Sequence, residues 1–314
     1  MQKHKGVRPV QKTNPEKASV FGGRLRGVFS ACAFFSAVFL FSCKSPVQFE
    51  QVEPLALVSG DSSMVVYIPV SENSVFVEYA AAELFGLSKE NARTIVPRME
   101  NLVLASDGSG KIQVAVEGNF PKAGIKMAFS EKKGWNTETS KDTVFPFSVY
   151  SSKEVPVQFA VPDSKTVLAS DDVSKMLLRY EACQTVFFPD GTEKNKENLL
   201  KTEICDFLTD NGGVQIRFYA QTPGDLFGKI VGKSINLGLN SLSGILEKSK
   251  AGEKFALTLN LELSNSAVAK AAVKMLKIAL FPLPAKIVQK NSIQIQISDI
   301  SLSYAQLMNF LCKI

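Results

Sequence analysis

The sequence predicts an α+β fold in which an antiparallel or mixed sheet carries amphipathic helices. Three observations lead there. Phe255, Leu257, Leu259, Leu261 and Leu263 alternate with Ala256, Thr258, Asn260 and Glu262, the two-residue period of a half-buried strand. Around that strand, from Thr222 to Lys290, apolar residues recur at helical spacing. Upstream, Ile112 to Val116 followed by Pro121 matches Val214 to Phe218 followed by Pro223 at a constant offset, which suggests duplicated α+β halves.

In chain order, residues 1–42 read as a lipoprotein signal peptide and 43–62 as a tether containing Pro46 and Pro54 without periodicity. Residues 63–183 form the first α+β half. Within it Met64 to Val70 is a strand, and Ser74 to Phe85 is a helix closed by Gly86. Asn101 to Ser106 and Lys111 to Glu117 form a hairpin across Asp107-Gly108-Ser109-Gly110, with Ile112, Val114 and Val116 on one face and Gln113 and Glu117 on the other. A helix over Pro121 to Glu131 follows, then strands around Phe145 to Tyr150, Val155 to Val161 and Lys165 to Ser170, and a helix from Asp172 to Cys183.

Residues 184–314 form the second half, which bears the amphipathic segments. A helix from Asp225 to about Glu247 places Lys229, Lys233, Asn236, Asn240, Ser243 and Glu247 in one arc. Leu226, Phe227, Ile230, Val231, Ile235, Leu237, Leu239, Leu242, Ile245 and Leu246 fill the rest, more apolar surface than one buried stripe needs. Gly228, Gly232, Gly238 and Gly244 each cost such a helix about 1 kcal/mol. A second helix, Ser266 to Phe281, sets Lys270, Lys274 and Lys277 on one face and Val268, Ala271, Ala272, Val273, Met275, Leu276, Ile278, Ala279 and Leu280 around them. Pro282 and Pro284 end it. A basic, acid-free polar face opposite a broad apolar one is the pattern of helices lying in a membrane interface; the competing reading is a core helix with solvated lysines. After the β-strand pattern at Ile293, Ile295 and Ile297, parity changes at Ile300 and Leu302, so a bulge is expected at Ser298 or Asp299. Tyr304 to Leu311 closes the chain as a helix.

The formal charge of +6 over 314 residues reflects the first 42 residues, whose seven basic side chains face only Glu16; the remainder is neutral. Within that remainder the ten lysines and four acids of residues 222–290 concentrate the positive charge, so no nucleic-acid footprint is implied. Val28 to Phe41 is an apolar run too short to span a bilayer, preceded by Arg24 and Arg26. It ends Leu40-Phe41-Ser42-Cys43, a lipobox-like pattern that marks Cys43 for acylation, although Phe41 stands where a small residue is usual. A plain signal peptide with an incidental cysteine is the alternative.

Catalytic chemistry is sparse. The single histidine, His4, lies in the segment expected to be removed, which excludes Ser-His-Asp and Cys-His catalysis and histidine ligation of a metal from the rest. Cys183, Cys205 and Cys312 are scattered and form no zinc motif. Asp171-Asp172 suits a helix start better than an acid/base pair, and Trp135 suits loop packing better than ligand stacking. We therefore expect no enzyme, no cofactor and no metal site. The competing class is a lipid-anchored hydrolase working through paired acids.

With the lipobox-like Leu40 to Cys43 and two amphipathic segments near the C-terminus, the chain resembles the treponemal outer-membrane lipoproteins that insert into the inner leaflet of that membrane. The resemblance implies an α/β/α fold with closed and open states, perturbation of bilayers, and carriage of lipid or glycolipid. It also implies a lipid-anchored location on the periplasmic face of the outer membrane, with anionic phospholipid or glycolipid as partner. The alternative is a periplasmic lipid-anchored scaffold, or partner-binding protein, with its helices buried in the core.

Overall fold

Continuous apolar runs and alternating ones assemble into one twelve-stranded antiparallel sheet in the computed structural model. The structure describes residues 49–311 except 86–88, 122–123, 126–128, 154–156, 185–198, 211–213, 222, 224–236, 250–253 and 282–283. The strands are β1 (Met64–Pro69), β2 (Met99–Ser106), β3 (Ile112–Gly118), β4 (Trp135–Thr139), β5 (Ser148–Ser152), β6 (Gln158–Ala160), β7 (Thr166–Ser170), β8 (Ile216–Ala220), β9 (Leu239–Lys248), β10 (Lys254–Leu263), β11 (Lys286–Gln289) and β12 (Gln294–Ser303). Their spatial order is β11-β12-β10-β9-β8-β1-β2-β3-β7-β6-β5-β4. The helices are α1 (Val70–Phe85), α2 (Lys89–Ile95), α3 (Ser174–Ala182), α4 (Thr202–Thr209), α5 (Ser266–Ala279) and α6 (Tyr304–Leu311).

The pleat sends alternate residues of each strand to opposite layers. Met64, Val66 and Ile68 of β1 join a core with β8 to β12, α1, α5 and α6. Val65 and Tyr67 of the same strand face a second core under α3, α4 and the segment from Val52 to Val58. Val114, Val116, Val167, Ala169 and Phe159 form a third core with Phe129 and Trp135. β1 and β2 pair from Met64↔Ser106 to Pro69↔Asn101, and β1 and β8 from Met64↔Ala220 to Tyr67↔Arg217. The two halves expected at 63–183 and 184–314 thus share a single sheet, joined through β1 and β8.

The expected hairpin is β2–β3, and its turn works through Asp107, whose Oδ1 accepts from the amides of Ser109 and Lys111. Gly108 and Gly110 take positive φ there, which only glycine adopts without strain. The parity change in β12 is the expected bulge: Leu259 pairs with Ile297 and Leu257 with Ile300, while Asp299 takes φ 65. Of the helix expected over Pro121 to Glu131, only 124–125 are helical among the described residues, and Glu131–Lys133 is a separate 3-10 turn.

Three expectations are corrected. Leu239–Lys248, read as the end of the first amphipathic helix, is strand β9, paired with β8 on one side and β10 on the other. Its inward positions are Leu242, Gly244 and Leu246, and the ring of Phe218 occupies the space over Gly244, where a Cβ would come within 2.1 Å of it. The missing side chain conceals the two-residue period, and a register shift between Glu262 and Leu263 brings Leu239 back to the inner face. From Phe49 onward, the tether expected over 43–62 is packed against the sheet: Val52, Leu55, Leu57 and Val58 are buried, and Pro54 opens a 3-10 turn. Trp135 is not a loop residue; it begins edge strand β4 and is 3% exposed, its ring 4.7 Å from that of Phe129.

Candidate functional site

Helix α5 has the clearest surface chemistry among the described residues. Asn265 caps it, its Oδ1 accepting from the Val268 amide at 2.9 Å. Ala269, Ala272 and Leu276 recur at three- and four-residue spacing and are buried on the sheet, with Leu280 continuing that stripe just past the helix end. Val268 and Ala279 flank them, half-buried. At about 100° per residue, the outward arc divides into two sectors. Lys270, Lys274 and Lys277 occupy one, all exposed. Ala267, Ala271, Met275 and Ile278 occupy the other, and Phe281 follows beyond the helix end. Met275 is 45% exposed, Ile278 78% and Phe281 88%. An ordinary core helix turns a polar face to water; here half of the water-facing arc is apolar.

The remaining residues singled out for membrane contact fall elsewhere. Leu242 and Leu246 lie in the sheet's core, Leu239 packs against it, and Ile245 is half-buried on the opposite face of β9. Leu226, Phe227, Lys229, Ile230, Val231, Lys233 and Ile235 lie outside the described residues, as does Cys43. No helix among the described residues is long and apolar enough to cross a membrane.

Sequence reasoning missed the clamp that holds the N-terminal segment on the sheet. Polar residues of β2 and β3 that point away from the third core reach up to it: Gln113 Oε1 accepts from the Ser59 amide at 2.7 Å, and Gln51 Nε2 donates to Glu117. Glu117 also accepts from Asn101 Nδ2 at 2.7 Å, Asn101 Oδ1 accepts from the Tyr67 hydroxyl at 2.9 Å, and Lys165 Nζ donates to Gln51 Oε1 at 2.7 Å. Burial, with the carboxylates of Glu53 and Glu117 adding to it, pushes the Tyr67 phenol up to about 12. The signal was present as Gln113 and Glu117 on an otherwise apolar strand, where polar side chains imply either water or a partner.

The other candidates are structural in their geometry. Asp172 Oδ1 accepts from the Ser174 amide at 3.0 Å where α3 begins, and both Asp171 and Asp172 are exposed. Cys183 and Cys205 lie half-buried at the rim of the second core, and burial raises the Cys205 pKa. No group of three potential metal ligands occurs among the described residues.

A family model described as "Outer membrane-associated lipoprotein TP0453" matches residues 49–308. Crystal form III of TP0453 is similar at 20% identity, covering 84% of this chain and 99% of that one, with a TM-score of 0.65. Form I gives 19% identity, coverage of 83% and 97%, and a TM-score of 0.63. For form IV the identity is 19%, the coverage 83% and 97%, and the TM-score 0.60. No curated protein matches. At these identities the likeness to the solved structures shows the fold, while the family match spans most of the chain. The chain therefore belongs to the TP0453 family of outer membrane-associated lipoproteins.

Proposed function

We propose that this lipoprotein is held by acyl chains on Cys43 at the periplasmic face of the outer membrane and lays the outer arc of α5 into the headgroup region of the inner leaflet. One observation carries the reading: Met275, Ile278 and Phe281 stand exposed beside Lys270, Lys274 and Lys277, with no acid on the helix. Fully burying a side chain as large as Ile or Phe in an apolar environment contributes about 2 kcal/mol, and each lysine near an anionic surface about 1 kcal/mol. The partner is anionic phospholipid or glycolipid, and local perturbation of the bilayer or carriage of such a lipid extends the same contact. We assign no catalytic reaction and no cofactor.

Burial of Ala269, Ala272, Leu276 and Leu280 favours a second reading, the lipid-anchored scaffold, in which α5 remains a core helix. Vesicle binding by protein lacking acyl chains separates the two. Replacing Ile278 and Phe281 with Ser leaves the inner stripe intact and is expected to abolish flotation with anionic vesicles. Undiminished flotation of a folded double variant would sink the membrane reading.

A further inference from the structure

The clamped N-terminal segment fixes the point where the anchor leaves the body. The Phe49 ring lies 5.3 Å from Phe145, 5.9 Å from Phe147 and 5.8 Å from Tyr180. Next to it, the Glu50 amide donates to Gln184 Oε1 at 2.7 Å and Gln184 Nε2 donates back to the Glu50 carbonyl at 3.0 Å. Cys43 precedes Phe49 by six residues, which reach at most ~20 Å when extended. Were the body held only from β1 onward, the reach from Cys43 would be ~70 Å.

Against Phe49 stands the turn 140–146, itself rigidly held. Glu181, 3% exposed, accepts from the Val144 amide at 3.0 Å and the Phe145 amide at 2.7 Å, so a buried carboxylate fixes two consecutive backbone groups. The Ser140 amide donates to the Phe147 carbonyl at 2.9 Å, and Thr143 Oγ1 to the Phe145 carbonyl at 2.7 Å. At the tip Val144 is 76% exposed. We propose that this turn is a second lipid-contact surface, pressed against the bilayer that holds the acylated Cys43, with Val144 entering the headgroup region. The proposal rests on the anchor at Cys43. It is distinct from the α5 contact, because β5 and β10 are eight strand spacings apart, ~40 Å across the sheet. Phe49 acts here as a positioning residue: it shortens the leash and aims this end of the sheet at the membrane.

The test uses the acylated full chain reconstituted in vesicles whose lipid tails carry bromine, which quenches tryptophan on contact. Val144→Trp is expected to lose about half of its added emission, an interfacial depth of 5–10 Å being within reach of the tails. Val214→Trp, also at an exposed valine, is expected to lose none. Adding Phe49→Ser to Val144→Trp should restore most of the emission. If Val144→Trp is as insensitive as Val214→Trp while the protein floats with the vesicles, the turn contact is overturned and the anchor stands. Equal quenching with and without Phe49→Ser overturns the part assigned to Phe49. Failure to incorporate labelled palmitate, with no flotation, overturns the anchor and this proposal together. Ile278→Trp in the same vesicles reports on α5 independently.

Discussion

From β1 to β3 and on to β7 the sheet is covered on both faces, whereas from β9 to β12 the described helices cover one. On the face that no described helix covers stand Ser241, Ser243, Thr258, Asn260, Glu262, Gln296 and Ser298, all partly exposed, and Ser241 Oγ donates to Glu262 while Gln296 Nε2 donates to Asn260. The difference shows in the residues themselves. β1 and β7 are buried at every position, and apolar runs without alternation, Met-Val-Val-Tyr-Ile and Val-Leu-Ala, make up most of them. β10 and β12 alternate, with apolar side chains toward α5 and polar ones away from it. The doubly covered region is therefore a scaffold fixed by packing from two sides. In the other, α5 is a thin layer whose inner stripe belongs to the core and whose outer arc remains available.

The largest expected effect comes from placing one charge in each region. Ala115 in β3 is fully buried between two layers, while Ala256 in β10 is exposed and pairs with Glu247 across the strand gap. Ala115→Lys should prevent folding or cost well over 4 kcal/mol, since an unpaired ammonium cannot be buried cheaply. Ala256→Lys should change stability by less than about 0.5 kcal/mol, with a small gain from Glu247. Urea unfolding of both variants reads the contrast, and a cost above about 2 kcal/mol for Ala256→Lys would show that the second face of β10 is covered after all.

How far this architecture was legible depends on which cue each strand carried. Strict alternation made β10 and the bulge in β12 readable, and the Asp107 to Gly110 turn made the β2–β3 hairpin readable. β9 was not readable: with Gly244 opposite Phe218 and a register shift near Leu239, its apolar residues fall at 239, 242, 245 and 246, a spacing that imitates a helix. The segment 49–62 carries no period, because a 3-10 turn and side-chain bonds to Gln113 and Glu117 hold it in place of a ladder. The basic sector of α5 was visible in the spacing of Lys270, Lys274 and Lys277. Which of its apolar residues face outward was not, since Met275 and Leu276 are equivalent until the sheet chooses one of them.

A smaller effect tests the clamp that closes the scaffold region. The Tyr67 phenol is raised to about 12, above its ordinary value near 10 in the unfolded chain. A folded pKa above the unfolded one means that the native state holds its proton more tightly. The contribution is therefore complete below pH 10 and is lost as pH rises from 10 through 12. Over that window the parent should lose about 2 kcal/mol more stability than Tyr67→Phe, which has no phenol to ionise. Denaturant unfolding at pH 9 and at pH 12 provides the comparison; parallel losses in the two proteins would remove Tyr67 from the alkaline response.

The smallest effect distinguishes a membrane-facing helix from one that is only solvated. Lys274 of α5 and Lys175 of α3 are both exposed helical lysines, one over the singly covered region and one over the doubly covered scaffold. Neither forms part of a core stripe, so replacing either with Gln should alter stability by less than about 0.5 kcal/mol. On anionic vesicles the two should part company. Lys274→Gln is expected to weaken binding of the acyl-free protein about fivefold, the equivalent of about 1 kcal/mol for one lysine near the surface, while Lys175→Gln leaves it unchanged. Raising the salt from about 0.1 M to 1 M shortens the screening length from about 10 Å to 3 Å, so the fivefold difference should collapse while the contribution of Met275, Ile278 and Phe281 persists. Equal losses from the two lysines would instead mean that the whole surface attracts the vesicle, and that α5 is no more than the roof of its half of the sheet.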